Sequence, residues 1–168
     1  MTARTAANPH PPRSREQRLR DTLDRLRDDL DAWVATASPD GTPCLVPLSF
    51  VWHEGTLLMA TRRTNPTAVN VTPTGRIKVA LGPTRDVVLI EGEAEIVEGT
   101  DLPIAAGDAF AAKLVWDPRK DSPWVYLRIT PHTVRAWREV NEQAGRDLML
   151  DSTWLVPPSS LDRSGLPS

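Results

Sequence analysis

The stretch that decides the fold runs from Trp33 to Asn70 and reads WVATASPDGTPCLVPLSFVWHEGTLLMATRRTNPTAVN. Three segments of it, beginning at Trp33, Cys44 and Thr56, are short, apolar and rich in β-formers, with the period of two that is typical of strands. The first turn contains Asp40-Gly41, a pair that suits a tight hairpin with positive φ. The stretch therefore predicts three successive antiparallel strands.

The third strand runs directly into Arg62 and Arg63 and then into Asn65-Pro66. The Asn-Pro pair fits a helix start, with Thr64 or Asn65 as N-cap and Pro66 as the first helical residue, and predicts a short helix ending near residue 72. A helix N-terminus offers free N–H groups and the positive end of the dipole. Strand alternation should point one arginine inward and the other to solvent.

Together these features predict an anion cradle of the kind that binds a phosphate. Two solvated surface arginines before an ordinary capped helix explain the same residues equally well. Along Cys44 to Trp52 one face carries the core residues, and the other carries Leu45, Pro47, Ser49 and Val51. That second face could leave room for a flat ring, although an ordinary edge strand accounts for it as well.

Further strands follow along the chain. RIKVAL begins at Arg76, the next strand contains Gly92, whose presence suggests a bulge or bend, and VYLRITPHTVRAW reads as a long strand broken near Thr130-Pro131. An Ala-rich segment predicts a helix ending at Leu114. Short, mostly antiparallel strands with bends predict a mainly β fold, a β-barrel with short helices.

The regions on either side of the barrel have different compositions. Residues 1–13 are small, polar and Pro-rich and predict a disordered tail. Ser14 and Gln17 form a capping-box pattern, and Leu19, Leu23, Leu26 and Leu30 follow at helical spacing, so an amphipathic helix is expected over 14–31. The barrel domain is expected over 32–140, and a partly irregular C-terminal extension over 141–168.

Several function classes are excluded by composition. The formal net charge of -2 argues against a general nucleic-acid binder. No apolar run approaches the roughly 20 residues that span a bilayer, and the N-terminus lacks the apolar region of a secretory signal, so a cytoplasmic protein is expected. The single Cys44 and the scattered histidines predict no metal site. Neither G-x-G-x-x-G nor a P-loop occurs.

The order of these motifs resembles a known family. The DGTP turn, PLSFVW, T-x-x-T with a downstream Asn, GRIKVALGPTRDVVLIEGEAEIV and ITPHTVRAWRE are similar to the FMN-binding split-barrel family of pyridoxamine 5′-phosphate oxidase and its actinobacterial deazaflavin-dependent relatives. The resemblance covers roughly Trp33 to Glu139. It implies a six-stranded antiparallel split barrel of Greek-key type and a homodimer with a cofactor groove at the interface.

The resemblance also implies a set of site residues. The cofactor phosphate would be bound by Thr61, Arg62, Arg63, Thr64, Thr67 and Asn70. The ring would lie against Pro47, Leu48, Ser49 and Phe50, and the partner subunit would close the pocket with Trp137 and Arg138. Many relatives carry a lysine at the position of Thr67, so Arg62, Arg63, Arg76 or Lys78 is expected to replace that charge.

The implied function is an oxidoreductase that transfers hydride between coenzyme F420 or FMN and a small conjugated substrate. The cofactor carries this chemistry, so the chain needs no dedicated acid or base. Composition and motifs favour F420 slightly. Two alternatives remain: a non-catalytic protein that binds or sequesters FMN or F420, and a cofactor-free barrel that keeps only the fold.

Overall fold

The structure is a computed structural model in which residues 11–160 are described. Its helices and strands follow in this order: α1 Arg15–Asp28, β1 Asp31–Ala37, β2 Pro43–His53, β3 Thr56–Arg62, α2 Pro66–Thr74, β4 Arg76–Leu81, β5 Val87–Val97, α3 Ile104–Leu114, β6 Trp124–Trp137, β7 Asp147–Leu150 and β8 Thr153–Trp154. Two short 3₁₀-helices cover Val140–Glu142 and Pro158–Ser160.

The strands form one antiparallel sheet in the order β3-β2-β1-β4-β5-β6-β7-β8. An additional pairing between β3 and β6 joins the two sides of the first six strands, for example at Leu57 opposite Ile129. The predicted mainly β fold, a six-stranded antiparallel barrel with an N-terminal helix, is confirmed. The β7–β8 hairpin extends the sheet beyond β6 and lies in the predicted C-terminal extension.

Strand β3 explains why the core has two parts. It is apolar on both faces because Leu57 and Met59 point into the barrel, while Leu58 and Ala60 point outward under α3. The interior cluster includes Phe50, Leu57, Met59, Val79, Ile90 and Leu127. The outer cluster includes Val51, Leu58, Phe110 and Tyr126. Each such side chain, fully buried, contributes roughly 1.5–3 kcal/mol, and the two clusters fix β3 and α3 relative to the barrel.

The bend predicted at Gly92 is confirmed by the pairing of β5 with β6. The register shifts between Glu91 and Gly92. A Cβ at Gly92 would lie 2.5 Å from the carbonyl oxygen of Thr130, so the two backbones approach each other too closely for any side chain there. The predicted break at Thr130-Pro131 is wrong, because the register shift accommodates Pro131 and β6 continues to Trp137.

Helix α1 begins as the capping pattern predicts, with the backbone N–H of Gln17 donating to Oγ of Ser14 at 3.1 Å. It buries Leu19 and Leu26 against the barrel. It ends at Asp28, since Asp29 is already extended, so the expected helical position of Leu30, which is 55% exposed, is wrong. Of the tail predicted over 1–13, residues 1–10 lie outside the described residues, whereas Arg13 is held by ion pairs. The proposed boundaries at 13, 31 and 140 remain predictions.

Arg13 fastens the start of the described chain to the segment after β6. Its guanidinium bonds to Glu142, Asp21 and Asp86 at 2.7 to 3.2 Å. The side chain of Arg13 is 8% exposed and that of Glu142 3%. We call these four residues the Arg13 cluster. It holds α1 against the β4–β5 loop and the first 3₁₀-helix.

Candidate functional site

The turn between β3 and α2 leaves the helix N-terminus open. Asn65 occupies the N-cap position, but its side chain makes no cap bond and instead donates to Oγ1 of Thr61 at 2.9 Å. The backbone N–H of Asn65 closes the turn on the carbonyl of Arg62 at 2.9 Å. Pro66 has no N–H to donate. The N–H groups of Thr67 and Ala68, at the positive end of the helix dipole, thus receive no cap bond from the side chain of Asn65.

The two arginines of the turn have different partners. Both are exposed, so the expectation that one points inward is wrong; β3 ends at Arg62, and Arg63 already lies in the turn, where alternation no longer applies. Arg63 binds both carboxylate oxygens of Glu98 at 2.6 and 2.7 Å. These bonds raise the pKa of Arg63 and lower the pKa of Glu98. Arg63 is therefore already neutralised.

Arg62 is the available cation of the turn. It makes no ion pair with any residue between 11 and 160, and its Cζ lies 5.5 Å from the ring centroid of Trp124, directly opposite it across the β3–β6 pairing. Trp124 in turn packs edge-on against Trp116, with ring centroids 4.6 Å apart. The indole restrains the guanidinium through a cation–π contact and leaves its N–H donors for an anion.

Thr67 and Asn70 face the barrel, while Thr64 is exposed in the turn. Thr67 is 2% exposed, and its Oγ1 lies 3.9 Å from Sγ of Cys44. Asn70 is 5% exposed and donates from Nδ2 to Oγ1 of Thr36 at 3.1 Å. These two side chains attach α2 to the first two strands instead of projecting into the open turn.

Strand β2 follows the predicted alternation. Leu45, Pro47 and Ser49 are exposed on the outer face, Leu48 is half-buried, and Phe50 is fully buried in the barrel. Among the predicted ring contacts, Pro47 and Ser49 thus present side chains to the outer face, whereas Phe50 does not. Ser49 donates from Oγ to Asp31 at 2.6 Å.

Arg76 and Lys78 lie at the opposite end of α2 from the turn. They line an open groove of about 810 Å³ together with Ser38, Thr74, Glu93 and His132. Nine helical residues at roughly 1.5 Å each separate this groove from the helix N-terminus. Lys78 also pairs with Glu91 at 3.3 Å. Both cations thus lie away from the turn within one subunit, and their expected role in replacing a lysine at position 67 stays a prediction.

Trp137 and Arg138 lie away from the turn of their own chain. The backbone N–H of Arg138 donates to Glu142 at 2.8 Å, and its guanidinium lies 3.3 Å from a carboxylate oxygen of Asp86. Trp137 is half-buried, with the guanidinium of Arg146 5.3 Å from its ring centroid. Arg138 thus contacts acidic residues of the Arg13 cluster, among them Glu142 and Asp86.

The position of Trp124 beside the turn is not predicted by the sequence pattern. It meets Arg62 only because β3 pairs with β6, two strands separated by α2, β4, β5 and α3. No local pattern shows that pairing. The described residues contain no group of three or more His, Cys, Asp or Glu placed to hold a metal ion. No helix among residues 11–160 is long and apolar enough to cross a membrane.

A six-stranded antiparallel barrel closed by the pairing of β3 with β6 is the architecture of the split barrels. The family model described as pyridoxamine 5′-phosphate oxidase matches residues 22–138. The chain belongs to this family, the FMN-binding split barrels. No curated protein matches the sequence.

Solved structures share the fold at low sequence identity. A putative pyridoxamine 5′-phosphate oxidase from Listeria innocua is 16% identical with a TM-score of 0.57, over 73% of this chain and 98% of that one. General stress protein 26 from Bacillus anthracis is 18% identical with a TM-score of 0.55, over 73% and 92%. An F420 reductase is 19% identical with a TM-score of 0.54, over 66% and 93%. These similarities concern the fold alone.

Proposed function

We propose that this protein is an oxidoreductase that uses FMN or coenzyme F420 to transfer hydride to or from a small conjugated substrate. The observation that carries the proposal is Arg62, a cation without an ion pair among the described residues, beside the uncapped N-terminus of α2. Both features favour a phosphate. They fit the phosphate that FMN and F420 share, and the family supports a flavin-type cofactor.

In the proposed mechanism the chain binds the cofactor and orients it. Arg62 and the N–H groups of Thr67 and Ala68 would hold the phosphate, and the outer face of β2 at Pro47 and Ser49 would support the ring. Arg63 contributes less because Glu98 already neutralises it. The cofactor supplies the hydride chemistry when bound. The protein's contribution is then position, exclusion of water and a fixed positive field.

We further propose a homodimer in which the partner covers the outer face of β1 and β2. Trp33 and Leu45 on this face are 52% and 63% exposed, and Pro47 lies directly opposite Trp33. Contiguous exposed apolar residues mark interaction surfaces. A second copy would enclose the ring site, and Trp137 or Arg138 of that copy would reach it. A cytoplasmic location suits the single free Cys44.

The competing function is a protein that binds or sequesters the cofactor without turnover. Thr67 favours it, because a buried threonine against Cys44 stands where many relatives carry a lysine. Catalysis and sequestration use the same phosphate contacts and differ in what happens after binding. Cofactor affinity therefore does not distinguish the two functions, whereas turnover of a substrate does.

The binding test compares FMN with riboflavin, which lacks the phosphate, and adds coenzyme F420. Fluorescence titration of the wild type should show a clear preference for FMN over riboflavin or tight binding of F420. Arg62→Ala should weaken the phosphate-bearing ligand about tenfold or more, since it removes a charge-assisted contact. Arg63→Ala should have less effect. Arg128→Ala is the control, because Arg128 is a partly exposed arginine paired with Glu95 and lies away from the turn.

Binding of none of the three ligands would refute the cofactor proposal. Equal losses in Arg62→Ala and Arg128→Ala would refute the assignment of the phosphate to the turn. If a cofactor binds, the reduced complex is mixed with a panel of enones and quinones and its reoxidation is followed. Tight binding without reoxidation by any substrate would identify a sequestering protein.

A further inference from the structure

A buried arginine on α1 has no carboxylate of its own. Arg18 is 7% exposed, and it donates from Nη1 to the backbone carbonyl of Glu142 at 3.2 Å. Its Nε is buried and has no hydrogen-bond partner among the described residues. The carboxylate of Glu142 is already occupied by Arg13 and by the backbone N–H of Arg138. Burial lowers the pKa of Arg18, as expected for a cation that lacks a full counter-charge.

Arg15, one helical turn before Arg18 in α1, also extends its guanidinium toward Gly145. It is exposed and makes no ion pair with a residue of the described range. A Cβ built on Gly145 would lie 3.7 Å from Nη2 of Arg18 and 3.9 Å from Nη2 of Arg15. The two guanidinium groups thus converge on one point, close enough for a single oxyanion to accept hydrogen bonds from both.

Gly145 keeps the space between the arginines open. Its φ of +71° lies in the left-handed region that favours glycine. Apart from its chain neighbours, only the two arginines come within 4 Å of a Cβ placed there in the described part of the chain. Glu16 is the nearby acid, and bonds from its own backbone N–H and from Ser14 lower its pKa. Its carboxylate is therefore engaged at the helix start.

We propose that the space between the first turn of α1 and Gly145 is an oxyanion site in which Arg15 and Arg18 bind a phosphate or carboxylate group. Guanidinium groups match both anions with paired N–H donors. A bound anion would supply the counter-charge that buried Arg18 lacks. The site is separate from the turn at Arg62 and does not depend on the proposed cofactor.

The test titrates inorganic phosphate by calorimetry at constant ionic strength into a protein carrying Arg62→Ala, so that the turn after β3 does not contribute. Arg15→Ala added to this background should weaken phosphate binding about tenfold or more. Arg20→Ala is the matched control, because Arg20 is also an exposed arginine of α1 and, among residues 11–160, its side chain bonds only to Gln17. It should change the affinity less than twofold.

Arg18→Lys provides a second variant, since it keeps the buried charge and loses the two-pronged donor group. Added to the Arg62→Ala background, it should bind phosphate more weakly than the Arg62→Ala protein, while its thermal unfolding stays cooperative. Sodium acetate replaces phosphate in a parallel titration, and the tighter anion identifies the natural ligand as a phosphate or a carboxylate. Absence of binding by both anions, or equal affinity in the Arg15→Ala and Arg20→Ala proteins, would overturn the site.

Discussion

Removal of the charge on Glu142 should destabilise the protein strongly. Its carboxylate accepts from Nε and Nη2 of Arg13 at 3.0 and 2.7 Å and from the backbone N–H groups of Arg13 and Arg138, both at 2.8 Å. Burial alone would raise the pKa of Glu142, but these hydrogen bonds and the charge of Arg13 outweigh it and lower the pKa to about 2. Glu142→Gln keeps the shape and removes the charge.

Two arguments give the same loss of folding free energy for Glu142→Gln. A pKa that falls from 4.5 to about 2 corresponds to roughly 3 kcal/mol of folding free energy, at about 1.36 kcal/mol per pH unit. Breaking a buried ion pair costs about 3–5 kcal/mol, and the lower end applies because Arg13 keeps Asp21 and Asp86. We expect Glu142→Gln to lower the free energy of unfolding by about 3 kcal/mol and the Tm by roughly 6–12 °C.

Urea unfolding followed by tryptophan fluorescence measures this loss. Glu139→Gln is the control, since Glu139 pairs with Arg85, whose side chain is 81% exposed, and should cost less than about 1 kcal/mol. Because the folded pKa of Glu142 is depressed, its contribution is complete above about pH 4.5 and is lost as the pH falls toward 2. The reasoning would be refuted if Glu142→Gln lost no more unfolding free energy than Glu139→Gln, or if its loss persisted unchanged at low pH.

Three further predictions concern the core and the turn. Gly92→Ala should cost about 1–3 kcal/mol in urea unfolding, because its Cβ would meet the carbonyl oxygen of Thr130 at 2.5 Å; an unchanged midpoint would contradict the tight bulge. Tyr126→Phe should be neutral or stabilising, since the hydroxyl is buried without a partner among the described residues, and burial raises the pKa of this single tyrosine to about 12. Tyrosinate absorbance that appears near pH 10 in the folded protein would disprove that environment. Trp124→Leu should reduce the preference for FMN over riboflavin, and combined with Arg62→Ala it should add little, because the indole acts through Arg62; additive losses would show that Trp124 contributes independently.

Local sequence patterns predicted most of the strands because alternation and turn chemistry are local properties. The faces of β2 and the bulge at Gly92 follow from side-chain period and glycine geometry alone. The continuation of β6 through Pro131 does not follow from local pattern, since it depends on how β6 pairs with β5: Pro131 lies opposite Gly92, Thr133 lies opposite Glu91, and His132 is the extra residue. Barrel closure between β3 and β6 was available only through family resemblance, because the two strands are far apart in sequence.

The candidate site was predictable in outline. The Asn-Pro pair correctly indicated the start of α2, and the arginines marked a cationic turn. Which arginine is available could not be inferred, because the answer lies in Glu98 and Trp124, contributed by distant segments. The inward orientation of Asn70 likewise depends on its hydrogen bond to Thr36 of β1. Long-range partners decided each of these points.

The closure of the barrel by β3 and β6 also limits how copies of this protein can associate. Sheets usually aggregate through unpaired edges, where backbone N–H and C=O groups recruit another strand. Here the six barrel strands pair in a closed ring, and the terminal strand β8, of only two residues, ends the extension. Within the described residues, association is therefore expected through side chains on a face or through the free edge of β2 at 43–49, which pairs with β1 alone. In the proposed homodimer, a single charge introduced at Trp33 or Leu45 should then weaken association without altering any strand pairing.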